Sequence, residues 1–115
     1  MNKTLILDGA VGTELIKRGL KLPLPLWSAS ANISHPEIIT KIHQDYINAG
    51  SDIITTNTFR TTSWTYKKIG YDDKTAKIKA KESLDRAINC AQNTKGAMMI
   101  AGSITTIEDC YKPEM

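Results

Sequence analysis

Three short clusters hold the residues whose types suit ligand chemistry: Asp8-Gly9, Thr56-Asn57-Thr58 and Gly102-Ser103. Asp8 offers a carboxylate that can hold an ammonium group. Gly9 and Gly12 allow a tight turn and leave backbone N–H groups free to face a ligand, where they can hold a carboxylate. A carboxylate beside open amides suits a small zwitterion. An Asp-Gly pair after a strand is also an ordinary turn, so the pair alone decides nothing. Between Thr55 and Thr62 fall six hydroxyl or amide side chains, which suit either strand-end hydrogen bonding or the polar wall of a substrate site.

The elements that must carry these clusters follow from patterning. Residues 5–7, Leu-Ile-Leu, read as a short apolar strand ending at Asp8. Thr13 offers a cap for a short helix over 14–18 that Gly19 ends. Pro23, Pro25 and a run of Ser and Asn predict a long loop, in which Trp27 either covers a ligand or packs the loop onto the sheet. Ser34 caps the next helix, with Pro36 in its first turn. That helix runs to Ala49, with Ile38, Ile39, Ile42, Tyr46 and Ile47 on one face, and Gly50 stops it. Residues 52–56 form a second strand, with Ile53 and Ile54 as a buried pair. Residues 64–71 are irregular or a short helical turn. A helix over 75–92 buries Ala80, Leu84, Ala87, Ile88 and Ala91, with Cys90 near that face. Residues 97–101, Ala-Met-Met-Ile-Ala, read as a third strand buried on both faces, which places Met98 and Met99 in the core.

Strand, helix, strand, helix, strand is the order of an α/β parallel sheet with crossover helices. In such sheets ligands gather at the carboxyl ends of the strands. All three polar clusters sit at those ends, so they converge on one rim.

Composition narrows the function classes. The 115 residues are 41% hydrophobic and 23% charged, enough apolar material for a core and typical of a globular chain. The net charge of +3 is mild, and the basic residues between Lys74 and Lys81 lack interleaved aromatics, so no nucleic-acid surface is expected. No apolar run approaches the roughly 20 residues of a membrane helix. Residues 1–4 lead straight into a strand, with no visible signal peptide, and Cys90 and Cys110 suit a reducing cytoplasm as free thiols. The stretch Gly9-Ala10-Val11-Gly12 is not a dinucleotide fingerprint, and no phosphate-loop motif occurs. His35 and His43 lack zincin spacing, and His43 is expected at a helix surface or cap. Cys90 and Cys110 lack companion ligands for a zinc site.

Four stretches in order, LDGAVGTEL, PLWSASANISHPEII, INAGSDIITTNTF and AGSITTIEDCYKPE, resemble the opening of the homocysteine S-methyltransferase family. The same domain begins cobalamin-dependent methionine synthase and makes up betaine–homocysteine methyltransferase. The closing EDCYKPE resembles one bacterial branch, in place of the Gly-Pro-rich loop of many relatives. The resemblance implies a (β/α)8 TIM barrel, of which this chain carries the first three β/α units, since a whole barrel takes about 250 residues. It implies homocysteine at the carboxyl-end rim and zinc holding the substrate sulfur as thiolate, which attacks a methyl group on an activated donor. S-methylmethionine, S-adenosylmethionine, betaine and methylfolate all serve relatives.

By resemblance, Asp8 meets the substrate ammonium, and N–H groups near Gly9 and Ala10 meet its carboxylate. Thr56, Asn57 and Thr58 line the same pocket. The family's zinc cysteines lie in later segments, an Asn-Cys and a Gly-Gly-Cys-Cys-like one, that this sequence lacks. The chain alone is therefore expected to be inactive. Its open edges are expected to meet the remainder of the barrel or another copy of the chain. A non-catalytic binding or assembly module on the same fold is the competing expectation.

Overall fold

The computed structural model describes residues 4–24 and 26–104. In chain order it forms α1 (Gly12–Lys17), a 3-10 turn (Trp27–Ser30), α2 (Ala31–Ser34), α3 (Pro36–Asn48), β1 (Ile53–Thr55), α4 (Ser63–Lys68), α5 (Asp73–Gln92) and β2 (Met99–Ala101). β1 and β2 run parallel, with Ile53 opposite Met99 and Thr55 opposite Ala101. On the other edge of β1, Leu7 forms one parallel bridge to Ile53. Asp8 N–H donates to the Ile53 carbonyl and Ile53 N–H to that of Ile6.

Residues 5–7 thus take the sheet position expected of them, but as a bridge and not a full strand. Ile6 and Leu7 are more than half exposed, so little packing holds this segment flat. Met98 and Met99, expected in the core, are 58% and 53% exposed. The run of residues 97–101 suits a strand covered on both faces, and among the described residues this stretch lacks that cover. The fold is therefore an α/β arrangement with a two-stranded parallel sheet and a bridged third segment.

Local signals explain the helices. α1 ends in a Schellman motif: Leu20 N–H bonds the Leu15 carbonyl, Gly19 N–H bonds that of Ile16, and Gly19 has φ +93°. Its start differs from expectation. Val11 is the N-cap, with no side-chain bond, and Thr13 lies inside the helix. The expected loop after Gly19 contains the 3-10 turn and α2. Ser34 does not cap α3. His35 occupies that position with Pro36 at N1, and Ser34 Oγ bonds back to the Ser30 carbonyl. α5 is capped by Asp72, whose carboxylate accepts from Thr75 N–H at 2.7 Å. α4 realises the short helical turn expected near Trp64.

The core lies where α3 crosses α1 and α5. Leu15, Leu22, Ala31, Ile39, Ile42 and Cys90 form it, with Trp27 and Tyr46 packed against it. Fully burying Ile39 or Ile42 stabilises by about 1.5–3 kcal/mol each. On α5 the covered face is Ala76, Ala80, Ser83, Ala87, Cys90 and Ala91. Leu84, expected there, is 37% exposed because it falls beside that stripe. His43, expected at a surface or cap, is fully buried. It follows Ile39 by four residues and so shares its inward face.

Candidate functional site: a cleft at the rim of the sheet

The carboxyl ends of the Leu7 segment, β1 and β2 border a cleft of about 220 Å³. Gly9, Gly12, Trp27, Ser28, Thr55, Thr56, Asn57, Phe59 and Ser103 contribute to its wall. The convergence of the three polar clusters is thus present in the fold.

Asp8 stands just behind that wall. Its Oδ2 accepts from Thr55 N–H at 2.9 Å and its Oδ1 from Thr55 Oγ1 at 3.0 Å. These bonds pin the end of the Leu7 segment to β1. Each carboxylate oxygen keeps acceptor capacity beyond the one bond shown. Among the described residues, the N–H groups of Gly9 and Ala10 have no hydrogen-bond partner. The Ala10 carbonyl accepts from Tyr46 Oη at 2.8 Å, which ties the turn to α3. Burial, with the Glu14 and Asp8 charges, holds the Tyr46 hydroxyl above its usual pKa, so it stays a donor.

Both glycines are required by close neighbours. A Cβ on Gly9 would lie 2.8 Å from Tyr46 Oη, and one on Gly12 would lie 2.5 Å from Trp27 Nε1. Trp27 therefore does two things: it packs on the core and forms one side of the cleft. Its φ of +52° is the left-handed region, unusual for a bulky residue.

On β1's extension, Thr56 Oγ1 lies 2.9 Å from Thr58 Oγ1. Thr58 Oγ1 donates to the Ser103 carbonyl at 2.6 Å, and Ser103 N–H returns a bond at 3.2 Å. Thr58 thereby closes the rim between β1 and β2 from behind the cleft. Asn57 is held in a buried network. Its Oδ1 accepts from Ser28 Oγ at 2.8 Å, and its Nδ2 donates to the Ser28 carbonyl and to Asn32 Oδ1, both at 2.9 Å. Asn32 Nδ2 donates to the Asn57 carbonyl and to Ser83 Oγ, and Ser83 Oγ donates to the Ala29 carbonyl.

Of the residues singled out from sequence, Gly9, Thr56 and Asn57 reach the cleft wall, while Asp8 and Thr58 support it through Thr55 and Ser103. Ala10 is exposed beside it. The local sequence does not mark Ser28, Phe59 or Tyr46 as part of the site. Ser28 sat in a Ser- and Asn-rich stretch that reads only as loop. Tyr46 read as one more apolar position of a helix face, although its hydroxyl fastens the turn.

Neither described histidine nor Cys90 builds a metal centre. Among the described residues no group of three His, Cys, Asp or Glu side chains gathers. Cys90 is buried between α3 and α5, its thiol against the Pro36 carbonyl at 3.2 Å. Among the described residues, neither ring nitrogen of His43 has a hydrogen-bond partner. Burial pulls its pKa below the usual histidine value, opposed in part by the Asp8 charge. Cys110 and the EDCYKPE stretch lie outside the described residues.

The family model for homocysteine S-methyltransferase matches residues 5–114. The chain belongs to this family. It is 34% identical over 106 residues to the homocysteine S-methyltransferase of Escherichia coli, covering 87% of this chain and 34% of that protein. It is also 34% identical over 85 residues to a selenocysteine methyltransferase of Astragalus bisulcatus, covering 74% of this chain and 25% of the relative. The solved structure of the homocysteine methyltransferase MmuM from Escherichia coli, in its metallated form, superposes with a TM-score of 0.68 at 32% identity. That match covers 90% of this chain and 38% of MmuM. The chain thus spans roughly a quarter to a third of the length of these curated relatives. Among the described residues, no helix is long and apolar enough to cross a membrane.

Proposed function

We propose that residues 1–115 are the amino-terminal portion of a homocysteine S-methyltransferase barrel and supply the rim that holds the amino-acid end of homocysteine. The observation that carries this reading is one cleft shared by the ends of the Leu7 segment, β1 and β2, with a carboxylate and two N–H groups that have no partner among the described residues on one turn beside it. Asp8 takes the substrate ammonium through its remaining lone pairs. The Gly9 and Ala10 amides take the carboxylate. Trp27 and Phe59 pack along the methylene chain, and Thr56, Asn57 and Thr58 shape the wall beneath it.

In the reaction proposed for the complete barrel, the homocysteine sulfur, as thiolate, attacks the methyl carbon of an activated donor. The new carbon–sulfur bond gives methionine, and the donor leaves with the electron pair of the broken bond. Zinc is the group the family implies for holding that sulfur. The described residues do not offer it a ligand set, so the part assigned to this chain is binding and orientation. Alone, it forms no methionine from homocysteine and S-methylmethionine. The cytoplasm is the compartment that suits its thiols.

Homocysteine binding by the whole chain tests this reading by calorimetry. Asp8→Ala weakens binding at least tenfold. Equal binding by Asp8→Ala and the parent removes Asp8 from the site. A non-catalytic binding or assembly module on the same fold is the second reading. The internal hydrogen bonds of Asp8, Asn57 and Thr58 favour its assembly form, which homocysteine binding by the parent chain rejects.

A further inference from the structure

Asn57 is a polar residue on the cleft wall, yet its amide points its bonding capacity into the protein. Both Nδ2 hydrogens are committed, to the Ser28 carbonyl and to Asn32 Oδ1, and Oδ1 accepts from Ser28 Oγ. A ligand could recruit the Nδ2 donors only by breaking a buried bond. The Asn57 backbone carbonyl is held as well, by Asn32 Nδ2 at 2.9 Å. The network continues to α5 through Ser83, which bonds both Asn32 and the Ala29 carbonyl. All four side-chain-bearing residues are at most 5% exposed.

What this network grips is the 3-10 turn that begins with Trp27. Ser28 and Ala29 follow that residue directly, and three of the bonds land on them. Trp27 itself is in the left-handed backbone region, which a bulky residue leaves unless its surroundings over-determine it. Trp27 N–H bonds the Pro23 carbonyl, and its indole lies against Gly12. The Asn57 clamp supplies the over-determination on the carboxyl side.

We propose that Asn57 is a positioning residue: acting through Ser28 and Asn32, it holds the Trp27 indole in place as a wall of the rim cleft. It rests on the homocysteine-site reading only for what the cleft binds. The substrate does not touch the Asn57 amide. Its fit depends on Asn57 through the placement of Trp27, and Ser83, on α5, shares that task.

The test uses the full 115-residue chain carrying Trp64→Phe, so that Trp27 is the sole tryptophan. Asn57→Ala is expected to shift Trp27 emission to longer wavelength, raise its quenching by acrylamide and weaken homocysteine binding about tenfold. Far-ultraviolet circular dichroism stays helical. Ser83→Ala moves emission and binding in the same direction by a smaller amount. Loss of binding with Trp27 emission and quenching unchanged overturns the proposal, because Asn57 then contacts the ligand itself. Unchanged emission with unchanged binding overturns it too. Should the Asn57→Ala chain not fold, Ser28→Ala removes a single bond of the clamp. A shift of Trp27 emission there supports the proposal, and its absence contradicts it. A parent chain that binds no homocysteine overturns the function reading alone, and the emission readout still decides the clamp.

Discussion

Gly12 has no room for one more carbon atom, because the Trp27 indole occupies the space. Gly12→Ala must push the ring out of the cleft or bend the turn. Overpacking of this kind costs about 1–3 kcal/mol. A lowered melting temperature together with altered Trp27 emission is the expected result, and an unchanged melting temperature contradicts it. The same residue scale shows what sequence could and could not convey. That Asp8, Gly9 and the Thr56–Thr58 segment fall at the rim is legible in the sequence, because carboxylates, glycines and hydroxyls after strands are local signals. Their division of labour is not. Whether Asp8 lines the cleft or pins Thr55, and whether Asn57 faces a ligand or Ser28, is set by partners 47 and 29 residues away.

At the scale of elements, α3 carries a titratable group where water does not reach. His43 is fully buried, with no partner among the described residues for either ring nitrogen. Burial lowers its folded-state pKa, while the unfolded chain keeps the ordinary value near 6.5. Between those two values the unfolded state binds more protons, so stability is full above about pH 6.5 and falls as the pH drops through the folded pKa. The nearby Asp8 carboxylate reduces this effect without reversing it. Urea unfolding should therefore show a lower midpoint at pH 5 than at pH 7.5. His43→Leu should lose much of that difference, and a pH dependence identical to the parent contradicts the assignment. The helix periods of α3 and α5 were legible, as were their stops at Gly50 and after Gln92. Ser34 misled as a cap because Pro36 fixes the helix start one residue later, and its hydroxyl found the Ser30 carbonyl instead. His43 misled because a polar residue type masked an inward position.

At the scale of the whole molecule, one feature of the sheet sets behaviour in solution. Ile6, Leu7, Met98, Met99 and Ile100 are all more than 40% exposed. The apolar run over 97–101 predicts a covered strand, and the described residues do not supply that cover. Open strand edges and apolar faces promote association. The isolated chain should bind a hydrophobic dye and sediment as larger species as concentration rises. A dye-silent monomer at all concentrations contradicts this.

The rim is proposed to recognise both the ammonium and the carboxylate of an amino acid whose side chain is a thiol. Calorimetric titration of the chain with L-homocysteine, set against 4-mercaptobutyrate, tests it most directly, because the two ligands differ only by the ammonium group assigned to Asp8. Binding of L-homocysteine with at least tenfold weaker binding of 4-mercaptobutyrate is the predicted result. Equal affinity for the two, or no affinity for either, contradicts it.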